Sequence, residues 1–248
     1  GSATILPWNG YATGSGNGSI AGTFGVSGSS TDGLAYGGAP VAEPVEATRQ
    51  STGLDALIDN RIMATAERDL LNFILTYGTT KLEFQSDSAF YSGSDEDALT
   101  VFDFIGQALE GDNSQFANSV FRKVYEAYSK DYYAGYSQDE IVKRLMDGED
   151  RDMAYVAAQL STDERYDLSV KNLRQSMMSK GSWLTIYVPK AILVYQQSRL
   201  EDKENELKER LGEAQAASDD DRVLEIMQEM LKVQKALKMV KVRLGREK

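Results

Sequence analysis

Two runs of carboxylates are the first places to look for chemistry, Asp95-Glu96-Asp97 and Asp219-Asp220-Asp221. Clustered acids can cage a hard cation, but only if their oxygens converge on one point. Three consecutive residues at a helix start point in different directions. Each run therefore reads as a solvated first helical turn, where negative charge meets the positive end of the helix dipole. Five tyrosines, Tyr125, Tyr128, Tyr132, Tyr133 and Tyr136, would suit base stacking. Their surroundings are not consistently basic, so half-buried packing is the better account. The Gly-rich tract between Asn9 and Pro40 has no Lys-Ser/Thr ending and precedes no clear strand, which excludes a phosphate-binding loop. With no cysteine and no histidine in the chain, thiolate and imidazole chemistry is removed altogether. No catalytic, cofactor-binding or metal-ligating residue is assigned, and enzymatic activity is not expected.

Composition narrows the class further. The chain has 248 residues, 42% of them hydrophobic, enough for one or two domains with a proper core. Its formal charge of −11 argues against direct nucleic-acid binding, which needs a basic footprint. The charge is uneven: residues 188–248 carry 13 Lys/Arg against 12 Asp/Glu, leaving 14 against 26 for residues 1–187. No run approaches the ~18 apolar residues of a membrane span, and the N-terminus lacks the order of a signal peptide. The expectation is a soluble, cytoplasmic protein.

The elements that must position any site are helical. Residues 1–59 read as a Gly/Ser-rich flexible linker or tag region, with a recognition segment around Ile5 to Trp8 as the sharper alternative. From there the pattern predicts an all-α fold, a compact helical bundle over residues 60–187 followed by a long helical hairpin over 188–248. Thr65 is placed to cap the first helix, with Leu70, Leu71, Ile74 and Tyr77 inside and Gly78 as its stop. Ser94 with Asp97, and Ser137 with Glu140, are candidate capping boxes for later helices. Phe116, Val120, Val124 and Ala127 repeat at helical spacing, as do Met153, Val156, Ala157 and Leu160. Leu173 with Met177 marks a sixth helix. Trp183, Ile186 and Tyr187 are expected to pack on the bundle core, and Pro189 to open the next helix.

That helix, from Pro189 to Ala217, would be roughly 43 Å long, with Gly212 its weak spot. Ser218 to Asp221 forms the turn. On the return arm Val223, Met230, Leu237 and Leu244 recur every seven residues, with Ile226, Val233 and Val240 in a second row offset by three. This is the a/d pattern of a helix seam. The first arm matches it with Leu193, Leu200, Leu207 and Leu211. Leu224, Met227 and Leu231 lie on an adjoining face that one partner arm cannot also cover. That surplus meets the bundle, another subunit or a different protein. Candidate partner-binding residues are Leu207, Leu211, Val223, Leu224, Met227, Met230 and Leu231.

Several segments resemble the C-terminal domain of bacterial DnaG-type DNA primases. They are Ala191-Ile-Leu-Val-Tyr-Gln with Leu207 and Leu211, the acidic turn, Met230-Leu-Lys-Val-Gln-Lys-Ala-Leu-Lys and the closing Arg243-Leu-Gly-Arg246. Ala66-Glu-Arg-Asp-Leu-Leu-Asn-Phe-Ile-Leu-Thr-Tyr-Gly78 is similar to that domain's opening helix, and Tyr166-Asp-Leu-Ser169 to its Leu-Ser motif. The resemblance covers about residues 60–248. It implies a bundle followed by a hairpin that docks on the N-terminal collar of the hexameric replicative helicase. It also allows a contact between the bundle and single-stranded-DNA-binding protein. The primase catalytic and zinc-binding domains would lie upstream, so this chain would be a non-catalytic fragment or stand-alone relative. A self-associating coiled-coil module is the competing expectation.

Overall fold

The computed structural model of the chain describes residues 53–91, 93, 98–162 and 180–247. Among these the fold is all-α, with a single isolated bridge, Lys81 to Thr100, and no strand. A short 3-10 turn, Gly53–Leu57, leads into α1 (Arg61–Tyr77), α2 (Val101–Gly111), α3 (Ser119–Tyr133), α4 (Gln138–Met146) and α5 (Arg151–Ser161). Two long helices, α6 (Lys180–Ala216) and α7 (Asp220–Arg243), then fold back on each other.

α1 is the central helix of the bundle. Leu70, Leu71 and Ile74 are wholly buried, and α2, α3, α4, α5 and α6 all pack against it. It starts a turn earlier than Thr65. The Asn60 side chain accepts from Ile62 N at 3.0 Å and Met63 N at 3.1 Å, which satisfies two orphan donors, and Thr65 lies exposed on the helix. Asn60 also binds across the fold: its backbone N–H donates to Asn118 Oδ1 at 2.7 Å. Buried Glu67 accepts from the backbone N–H groups of Ala117 and Asn118 and from Asn118 Nδ2, fastening α1 to the start of α3. Burial of this carboxyl raises its pKa, outweighing the hydrogen bonds that act the other way.

The Ser137–Glu140 capping box forms as expected. Thr100 caps α2, accepting from Asp103 N at 3.1 Å, while Ser94 and Asp97 lie outside the described residues. The helix expected at Leu173 and Met177 and the Tyr166–Ser169 motif also lie outside them.

Both subdomain boundaries move. Leu54, Leu57 and Ile58 pack against the bundle core, so residues 53–59 belong to the folded body and not to a linker. At the other end, α6 begins at Lys180 and runs through Pro189, so the proline sits inside the helix and not at its opening. An interior proline removes one backbone hydrogen bond and crowds the preceding turn, a loss of ~3 kcal/mol. Burial of Trp183, Leu184, Val188, Ile192 and Tyr195 on the same helix offsets it. Ile186 and Tyr187 are 49% and 41% exposed, so of the expected aromatic anchor only Trp183 is deeply packed, between Phe73 and Tyr77.

Candidate interaction surface

The hairpin is built from the seam outward. Leu207, Ala214, Ile226 and Val233 form its buried centre, with Leu200, Leu211, Val223 and Met230 packed around them. Ser218 takes a positive φ of 55°, which turns the chain sharply, and Asp219 caps α7 by accepting from Arg222 N at 3.1 Å. Asp219 thus does structural work, and Asp220 and Asp221 stand exposed in the first turn. Charged pairs line the arms: Lys203 and Arg210 both reach Glu229 at 3.7 Å, and Lys241 reaches Glu201 at 3.8 Å. Such exposed pairs contribute ~0–1 kcal/mol each and chiefly hold register.

The root of the hairpin is anchored to the bundle. Tyr195 Oη donates to the Gln115 carbonyl at 3.0 Å, Gln196 Nε2 to Asp112 Oδ2 at 2.8 Å, and Asn60 Nδ2 to Asp202 Oδ2 at 2.8 Å. Beyond Asp202 the two arms hold each other through the seam around Leu207, Ala214, Ile226 and Val233.

The seven candidate residues separate into two groups. Leu207 is fully buried and Leu211 is half-buried in the same seam; they hold α7 in place and do not face outward. Val223 and Met230 sit half-buried at its edge. Leu224, Met227 and Leu231 are 59%, 51% and 67% exposed. Helix geometry explains the division. Leu224 and Leu231 precede Ile226 and Val233 by two residues, about 200° round the helix, so they point away from α6. The same outward line continues through Lys235 and Lys238 to Val242, which is 45% exposed.

A family model for a domain of unknown function, DUF8430, matches residues 55–247. The chain belongs to that family. No curated protein and no solved structure matches it. The span of the DUF8430 match begins within the 3-10 turn and takes in the bundle and the hairpin together. That agrees with a body in which α6 serves both halves.

Elsewhere the side chains are arranged for packing. Phe102 lies 4.6 to 6.0 Å from the rings of Tyr125, Tyr128, Tyr132 and Tyr133. Burial pushes the Tyr125 and Tyr132 phenols up to about 12 and raises Tyr128 as well, so all three stay protonated at neutral pH. Tyr133 is 74% exposed at the edge of this cluster, and Arg144 lies over the Tyr136 ring at 4.4 Å. Among the described residues no group of three or more acidic, His or Cys side chains is placed to hold a metal ion. No helix among them is long and apolar enough to cross a membrane.

Sequence periodicity found the seam and the outward stripe, but it merged them into one contact set. The signal that separates them is phase: the buried row and the exposed row differ by two residues on a single helix.

Proposed function

We propose that this chain is a non-catalytic docking module of a DNA primase that holds the enzyme to the replicative helicase at the fork. The observation that carries the proposal is the apolar stripe Leu224, Met227 and Leu231, turned away from the arm that covers the rest of α7. Among the described residues no side chain of the bundle bonds to the hairpin beyond Asp202, and the stripe stands exposed. An exposed apolar row on a projecting helix is the usual form of a helix-to-groove contact. Met227 adds a side chain that adapts to irregular pockets. The partner's identity comes from the segment resemblance to primase C-terminal domains, whose hairpin meets the N-terminal collar of the hexameric helicase. On that footing the module works in the cytoplasm, and Leu207 and Leu211 serve it by holding α7 rigid.

The test is a sizing column and titration calorimetry with the purified replicative helicase. Wild type co-elutes; the Leu224→Asp, Met227→Asp double variant does not, while keeping its helical circular dichroism. A variant that binds as well as wild type overturns the site. A stable dimer indifferent to helicase, seen by sedimentation velocity, replaces the function with self-association.

A further inference from the structure

The outward face of α7 is divided along its length. Its distal half is apolar, with Leu224, Met227 and Leu231. Its proximal half continues the line as Lys235 and Lys238, with Lys232 on the flank, all three exposed, before Met239 and Val242 end it at the base of the hairpin. From Leu224 to Lys238 the strip is roughly 21 Å long.

These three lysines differ from the hairpin's inner cations. Lys203, Lys208, Arg210 and Lys241 each have an acidic partner within 4.0 Å on the arms. Lys232, Lys235 and Lys238 have none among the described residues. Several acids of the hairpin pair along the seam, Asp220 and Asp221 stand at its tip, and Glu247 at the base lines a groove with Lys238 without an ion pair to it. Macrodipole complementarity explains basic residues in the last turn of a helix, and Lys241 and Arg243 occupy that turn. Lys232 and Lys235 lie more than a turn before it, where the dipole effect has faded.

We infer that the occupant of this face is an amphipathic helix of a partner protein that carries its apolar residues at one end and carboxylates at the other, the carboxylates seated on Lys232, Lys235 and Lys238. This rests on the docking role of the stripe and adds the chemistry of what docks. Acidic residues favour a helix N-terminus, so the partner helix starts at the base of the hairpin and runs antiparallel to α7. A nucleic acid would satisfy the lysines but leave Leu224, Met227 and Leu231 bare. An apolar-only partner would cover the leucines and leave three cations beside it without counter-charge. A helix with both halves matches the whole face, and its charged end would steer encounter and fix direction.

The probe is a fluorescent synthetic helical peptide, roughly 18 residues long, with glutamates in its N-terminal turns and a Leu/Met stripe after them. A second peptide replaces the glutamates with lysines. Anisotropy with the full chain is expected to show the acidic peptide binding at least tenfold tighter, with affinity falling as salt rises. The Lys232→Glu, Lys235→Glu, Lys238→Glu variant reverses that preference, and Leu224→Asp with Met227→Asp abolishes both. Equal binding of the two peptides overturns the acidic occupant while leaving the apolar docking role intact. Failure of both peptides overturns it as well. Tight, salt-sensitive binding of a single-stranded oligonucleotide that the triple variant loses overturns it in favour of nucleic acid. Failure of the helicase itself to bind wild type removes the proposed partner, and the peptide ranking still decides the chemistry of the face.

Discussion

Leu207 and Leu231 lie on the same hairpin and answer opposite questions when truncated. Leu207 is wholly buried in a seam of four deeply buried residues. Leu→Ala removes three carbons at ~0.8 kcal/mol each, and the residual cavity brings the loss to about 3 kcal/mol. Leu231 is 67% exposed, so its truncation should change stability by no more than ~0.5 kcal/mol. Docking is where Leu231 matters. Full burial of a leucine contributes ~1.5–3 kcal/mol, and two-thirds of this one is still open. Its loss should therefore weaken helicase binding by about 1–2 kcal/mol, or roughly tenfold in Kd. Native-state hydrogen exchange of amides 205–230 reads the seam locally, without requiring the bundle to unfold. Calorimetry with the helicase reads the docking face. Leu207→Ala should lower protection by about 3 kcal/mol, and Leu231→Ala should lower only affinity. If Leu231→Ala costs as much protection as Leu207→Ala, the stripe is packed and the separation of seam from docking face is wrong.

Gly78→Ala should destabilise the bundle by about 3 kcal/mol, because the added Cβ would overlap the Tyr128 hydroxyl and lie 2.7 Å from its Cζ; urea unfolding measures it. Gly212→Ala should act the other way. Nothing lies within 4 Å of its Cβ position on α6, so the hairpin should gain about 0.5–1 kcal/mol in exchange protection. Two carboxyls should respond to pH with opposite signs. The Ser137 hydroxyl and backbone N–H hold the Glu140 pKa below its ordinary 4.5, so its stabilisation is present above that value and lost as pH falls through the folded pKa. Glu67 is raised by burial, so its contribution is complete below the ordinary carboxyl range and declines as pH rises through the folded pKa. As pH rises toward about 4.5, Glu140→Gln should therefore lose Tm relative to wild type, and as pH rises above about 4.5, Glu67→Gln should gain. Parallel thermal melts check both, and matching slopes would refute the assignment.

Local patterns carried most of the helical reading. The Ser137–Glu140 box, the heptad rows on α7 and the acidic turn ahead of it are all interactions within a few residues, so their spacing alone exposes them. Thr65 misled because a good capping residue lay inside a helix whose actual cap, Asn60, is selected partly by its bond to Asn118, 58 residues away. Pro189 misled for a related reason. Its preference for a first turn is local, but five buried side chains on α6 outweigh it.

Residue types and their spacing are enough to make the described chain helical, to leave it without cysteine and histidine chemistry, and to fold its last third back on a seam. These follow from composition and from periods of three, four and seven residues, which need no knowledge of distant neighbours. Which apolar rows are used up depends on how the helices pack in three dimensions. Leu207 and Leu231 have the same side chain, and burial depends on what lies across from each. α6 occupies one side of α7 and leaves the other open, and that placement turned a list of seven apolar residues into a seam and a docking face.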